Sequence, residues 1–174
     1  MDDRGVVEAQ IGRPPRSPID VARRCHLDLP VVITVPPLLD DGTPFPTLYW
    51  LTCPLASKRV GRIEAAGGVR TAEQMLADDP DLRVAHDAAM DRYRDDRDAR
   101  IPEGYQGHRP MGGVGGTRAG VKCLHAHYAD TAAGNTNLVG AWTAEQIEPL
   151  DCTEACVAFN DGCWSRNPAW TEPR

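Results

Sequence analysis

The sequence predicts an α+β fold in which a small three-stranded antiparallel sheet packs against several helices. Segments 19–24, 31–35 and 47–52 are rich in β-branched and aromatic residues, and proline and turn residues separate them. Segments with the apolar spacing of helices follow. Because consecutive strands joined by short turns pair antiparallel, the three strands are expected to form a meander.

The length of 174 residues fits one domain. The prolines near the start predict an N-terminal arm over residues 1–17, with at most a short helical turn. Residues 18–150 are expected to form a single α+β domain. Residues 151–174 are polar, contain three of the six cysteines and are expected to form a flexible tail.

The charge and hydropathy of the chain exclude some partners. A net charge of −6 and a pI of about 5.3 oppose non-specific attraction to nucleic acid and to anionic membranes. No 18-residue apolar run and no secretory leader pattern occur, so a cytoplasmic protein without a membrane partner is expected.

In a reducing cytosol, cysteines are expected to be thiols, metal ligands or redox groups instead of structural disulfides.

The meander has a consequence for two cysteines. Its first and third strands run in the same direction, and Cys25 and Cys53 follow directly after them. Their thiols are therefore expected at the same edge of the sheet, about 10 Å apart at twice the strand spacing.

The helices are predicted by apolar periodicity and by capping residues. They are expected over residues 56–66, from a cap at Thr71, over 81–100, over 121–133, and from a cap at Thr143 to about 150. The third of these alternates charges from Asp87 to Asp98, which is typical of a solvated face, and His86 on it is expected to be exposed. The glycine-rich residues 101–119 are expected to form a linker.

The densest group of potential metal ligands is Cys123, His125 and His127. On a regular helix Cys123 and His127 share a face, whereas His125 points away. If the first turn is unwound, Cys123 and His125 converge instead. The predicted metal site therefore combines Cys25, Cys53 and Cys123 with His125 or His127, and holds zinc or an iron–sulfur cluster.

Two further groups carry weaker signals. The glycines at 112–116, with Arg118 and Lys122 before a helix, have the ingredients of a site for a small anion, although a flexible linker explains them nearly as well. The cysteines in the spacing Cys152-x-x-x-Cys156, followed by Cys163, could bind metal or form a redox pair, but incidental surface thiols are the favoured explanation.

Several segments resemble the bacterial family named domain of unknown function 501. They are residues 10–16, Arg24-Cys25, residues 41–54 and residues 121–129, so the likeness spans roughly residues 9–150. The family usually has Asn-Pro-Val-Gly where this chain has Asn137-Leu138-Val139-Gly140. The resemblance implies no known activity, but its signature segments contain Cys25, Cys53, Cys123 and His125.

Three functions are compatible with these observations. The first is a metal-binding protein with a zinc or iron–sulfur site. The second is a thiol-dependent enzyme or redox protein that uses Cys123, assisted by His125, on an anionic substrate held by Arg118. The third is a partner-binding module without chemistry.

Overall fold

The computed structural model describes residues 2–173 and has the predicted α+β architecture, with a three-stranded antiparallel sheet and a separate β-hairpin. A single 3₁₀ turn, Val114–Gly116, lies in the glycine-rich segment. The helices are α1 Asp3–Ile11, α2 Pro54–Ala65, α3 Gly68–Asp78, α4 Pro80–Asp98, α5 Leu124–Ala132 and α6 Leu138–Ile147; the strands are β1 Asp20–Arg24, β2 Pro30–Thr34, β3 Tyr49–Leu51, β4 Val157–Asn160 and β5 Cys163–Arg166.

The three-stranded sheet is the predicted meander, in the order β1-β2-β3. Ile33 of β2 pairs with Val21 on one side and with Trp50 on the other. Side chains of β2 are buried on both of its faces, because helices cover the sheet. This explains why β2 has the most continuous β-branched sequence in the chain.

The main core lies where α5 crosses α2 and the end of β3. Leu124 and Tyr128 of α5 are fully buried against Leu55 and Val60 of α2 and against Leu51. Burying side chains of this size stabilises a fold by roughly 1.5–3 kcal/mol each. Helix α5 is therefore central to the molecule, and its position determines the position of the residues just before it.

Both terminal segments contribute regular structure. The Asp2 side chain caps α1 by accepting from the Gly5 amide at 3.0 Å, and the helix buries Val6 and Val7. Strands β4 and β5 form a hairpin that packs against α1 and buries Val157. The division of the chain into arm, domain and tail stays a prediction.

Two predicted helix starts are wrong. Thr71 and Thr143 lie inside α3 and α6, which begin at Gly68 and Leu138. The Thr143 hydroxyl donates to the Val139 carbonyl at 2.8 Å, which is the alternative local bond open to threonine within a helix. The cap of α6 is Asn137, whose side chain accepts from the Gly140 amide at 3.0 Å.

The charged face of α4 is solvated as predicted at Asp87, Asp91 and Asp95, but His86 and Arg97 are buried. Arg97 donates to the carbonyls of Gly112 and Pro110 at 2.7 and 3.2 Å. In a turn-rich segment, many backbone carbonyls do not accept the hydrogen bonds that a helix or a sheet would provide. When such a carbonyl is buried, it needs a donor from elsewhere. Arg97 therefore anchors the glycine-rich segment to α4.

Gly140 allows α6 to approach α5 closely, since a Cβ at this position would overlap the His127 carbonyl and Thr131 Oγ1. Gly140→Ala is expected to lower the free energy of unfolding by about 1–3 kcal/mol through this overlap. Gly61→Ala is the matched control, because Gly61 lies within α2 with open space around it. That control is expected to stabilise by up to about 1 kcal/mol. Urea unfolding measures the free energy of unfolding of both variants. Equal values for Gly140→Ala and Gly61→Ala would contradict the close approach of α6 to α5.

Candidate metal centre

Helix α5 begins later than predicted. Cys123 is its N-cap residue and has an extended backbone, with φ −153° and ψ 118°. The first free amide, that of Leu124, donates to Glu64 Oε1 at 2.6 Å. Because Cys123 lies outside the helix, its side chain does not share the face of His127. The structure thus has the second of the two predicted arrangements, in which Cys123 and His125 converge.

Glu64 completes a group of three potential ligands. One donor atom each from Glu64, Cys123 and His125 lies within 4.8 Å of the other two. His125 Nδ1 is 3.2 Å from Glu64 Oε2, and His125 Nε2 is 3.1 Å from the Ser57 carbonyl oxygen. Because a carbonyl only accepts, Nε2 carries the proton in this bond. The other nitrogen, Nδ1, therefore faces the carboxylate.

The electrostatics of the group favour positive charge on the imidazole. Hydrogen bonding to the Cys123 side chain, together with the Glu64 carboxylate, raises the pKa of His125 to about 9, although burial opposes the shift. A site that stabilises imidazolium in this way also attracts a metal cation, which competes with the proton for Nδ1.

His127 lies in a different environment. Its Nδ1 donates to Asn137 Oδ1 at 3.0 Å, and its ring stacks on His86 with centroids 5.5 Å apart. Burial lowers the pKa of His127 to about 4, so this imidazole is neutral at ordinary pH. The structure does not bring His127 to Cys123.

Cys25 and Cys53 converge, as the meander predicts, but they converge on a cavity of their own. That cavity is also lined by Cys152 and Cys156. Within residues 2–173, no group of three potential ligands combines Cys25 or Cys53 with Cys123. The predicted five-residue metal site is thus divided between three places in the molecule.

Cys123 and His125 open onto a cavity of about 520 Å³. Phe45, Tyr49 and Trp50 supply an aromatic wall, and the Arg13 guanidinium lies 4.8 Å from the centre of the Trp50 ring. The cavity therefore combines apolar surface with the positive charge of Arg13 beside His125.

The residues predicted to bind an anion lie elsewhere. Arg118 contacts Met111 Sδ at 3.9 Å and lines a separate cavity beside Asp91 and Asp98 of α4. Lys122 is exposed. The amide of Val121, which an anion could use, donates to Glu73. The role of Arg118 and Lys122 stays a prediction.

Sequence reasoning missed Glu64, Ser57 and Arg13. Glu64 and Ser57 lie on α2, about 60 residues before the Cys-x-His pair, and have no local pattern that marks them. Arg13 lies within residues 10–16, where no pattern marks it as a site residue. The fold of α2 against α5 is what brings the first two to the site.

A family model described as "Protein of unknown function (DUF501)" matches residues 21–145. The chain belongs to this family. The match includes Cys25, Cys53, Glu64, Cys123 and His125, whereas Arg13, Cys152 and Cys156 lie outside it. The DUF501 assignment agrees with the resemblance seen in the sequence.

Neither the curated proteins nor the solved structures provide a match to this DUF501 chain. Between residues 2 and 173, no helix is both long and apolar enough to cross a membrane.

In metal-free protein, His125 is expected to titrate near pH 9, well above the ordinary value of about 6.5. Since folding raises this pKa, the stabilisation from charged His125 is complete below about pH 6.5 and is lost as the pH rises through about 9. An NMR titration of the imidazole resonances in the folded protein measures the pKa of His125. Glu64→Gln removes one source of the shift and is expected to lower the pKa of His125. A midpoint near 6.5 in the unsubstituted protein would contradict the arrangement of Cys123, His125 and Glu64.

Proposed function

We propose that this protein binds a zinc ion through Glu64, Cys123 and His125, at the mouth of the cavity beside them. The observation that carries the proposal is the approach of three different donor groups to within 4.8 Å of one another. A second feature supports it: the Ser57 carbonyl accepts a hydrogen bond from His125 Nε2, so that Nδ1 is the nitrogen that binds the ion in place of its proton. Metal-binding histidines commonly donate their other N–H to a carbonyl or carboxylate.

The donor set favours zinc over an iron–sulfur cluster at this position. Thiolate, imidazole and carboxylate are all ordinary zinc ligands. Iron–sulfur clusters depend mainly on several cysteine thiolates, and this group supplies only Cys123. Three protein ligands also leave one position of a tetrahedral ion for water or a substrate atom, which is typical of catalytic zinc.

The cavity indicates the class of ligand. Phe45, Tyr49 and Trp50 provide a surface for an apolar or aromatic group, and Arg13 provides a partner for an anion. A small molecule with an apolar body and a carboxylate or phosphate group fits both features. Bound zinc would polarise an oxygen of such a molecule or lower the pKa of a water.

A second function is favoured by one observation. The Cys123 side chain accepts a hydrogen bond from His125 and thereby raises the pKa of this histidine, an arrangement typical of a cysteine nucleophile with an adjacent base. In that case Cys123 would be the nucleophile of a thiol-dependent enzyme, and Glu64 would orient the histidine.

Zinc titration of metal-free protein by calorimetry tests the first function. Glu64→Gln, Cys123→Ser and His125→Gln are each expected to weaken one zinc site by at least about 10- to 100-fold, the range found even for outer-shell changes. Glu73→Gln is the matched control, because Glu73 also caps a backbone amide near α5 but is not part of the donor group. It is expected to leave zinc binding unchanged. Unchanged binding in all three site variants would contradict the proposal.

Thiol alkylation distinguishes the two functions. If Cys123 binds zinc, zinc protects it and chelation exposes it to iodoacetamide. If Cys123 is an enzyme nucleophile, its alkylation is fast without metal, is slowed by His125→Gln and is unaffected by zinc.

A further inference from the structure

Four cysteine side chains line one small cavity at the edge of the three-stranded sheet. Cys25 follows β1 directly, and Cys53 is the N-cap residue of α2. Cys152 and Cys156 lie in the segment before β4. All four belong to the same cavity, and none of them is in a disulfide. The chain thus gathers four thiols from three separate segments.

The remaining walls of this cavity are largely apolar, with Leu29, Leu55 and Leu150 among them. Cys53 is buried, and Cys25, Cys152 and Cys156 are partly buried. In such surroundings a thiolate needs a compensating positive charge.

N–H donors point at two of the sulfurs. Trp170 Nε1 donates to Cys152 Sγ at 3.4 Å, and Gln10 Nε2 donates to Cys156 Sγ at 3.6 Å. Outer-shell hydrogen bonds of this kind orient ligands and tune metal sites. Gln10 is nearly fully buried and also donates to the Pro30 carbonyl at 2.8 Å, so its position is fixed.

We infer that Cys25, Cys53, Cys152 and Cys156 bind one zinc ion in a four-thiolate site that fastens the C-terminal segment to the sheet. The spacing Cys152-x-x-x-Cys156 falls within the two-to-four-residue spacing of paired structural zinc ligands. Cys25 and Cys53, at the ends of parallel-running strands, supply the other pair. These residues are distinct from Glu64, Cys123 and His125, so the inference does not rest on the proposed function.

The size of the cavity favours a single ion over a cluster of several iron and sulfide atoms. Its volume of about 20 Å³ is close to that occupied by one water molecule. In a tetrahedral site with Zn–S bonds of about 2.3 Å, the sulfurs lie about 3.8 Å apart. In the described residues no three of the four sulfurs lie within 4.8 Å of one another, so binding draws the side chains inward.

The test starts from full-length protein purified anaerobically in the Cys123→Ser background, which removes a ligand of the other proposed site. Elemental analysis is expected to find close to one zinc per chain. Replacement by cobalt is expected to give the intense sulfur-to-metal absorption of a four-thiolate centre. Further substitution of Cys152 or Cys156 by serine is expected to abolish stoichiometric binding, whereas Cys163→Ser, at an exposed cysteine of the hairpin, is expected to retain it.

A measurement on the unsubstituted protein tests the inference even if the cysteine variants do not fold. Zinc is expected to protect all four thiols from alkylation together, and chelation is expected to expose them and to speed proteolysis within residues 151–174. Independent alkylation rates with and without zinc would overturn the inference. So would an iron–sulfur chromophore, or a disulfide between any two of the four under anaerobic conditions. If the Glu64→Gln variant binds less zinc while zinc still protects the four thiols, the result concerns only the site of Glu64, Cys123 and His125.

Discussion

The carboxylate of Glu64 fixes both the start of α5 and the orientation of His125. One oxygen accepts from the Leu124 amide at 2.6 Å, and the other lies 3.2 Å from His125 Nδ1. The first amides of a helix have no partner within it, and a buried one needs an acceptor from elsewhere. Because α5 packs against α2, α6 and β3, this one carboxylate ties the core to the site. An α5 that began earlier would place Cys123 beside His127 instead of His125.

A buried polar network explains why His127 occurs so close in sequence to Cys123 without being its partner. Asn137 accepts from His127 and from the Gly140 amide, and donates to the fully buried Asp130. Asp130 in turn pairs with Arg92 of α4. The network thereby joins α4, α5 and α6 through hydrogen bonds between buried polar groups. Its cap, Asn137, begins the segment in which the family usually has Asn-Pro-Val-Gly. Leu138 occupies the first helical position, where proline is also well tolerated.

The sequence predicts the sheet well because its signals are local. β-branched runs, prolines and turn residues mark each strand, and the meander follows from their order. The same local signals fail at Thr71 and Thr143, where tertiary packing places the helix starts elsewhere. They also cannot reveal Glu64, whose partner amide is 60 residues away along the chain. His86 and Arg97 show the same limit, since local charge alternation does not indicate that His127 of α5 stacks on His86 or that residues 101–119 cover Arg97. Composition identifies the candidate ligands, but only the packing decides how they are grouped.

Helix α2 connects the two groups of candidate ligands. Cys53 caps its start and Glu64 lies in its last turn, 11 residues later, so the two are separated by about 16 Å at 1.5 Å per residue. Leu55, Ala56 and Val60 between them are fully buried, which holds the helix against the core. A shift of α2 along its axis would therefore displace Cys53 and Glu64 together. The sequence pattern Cys123-x-His125-x-His127 thus contributes Cys123 and His125 to one candidate site, which Glu64 of α2 completes. Cys25 and Cys53 at the sheet edge belong to the other.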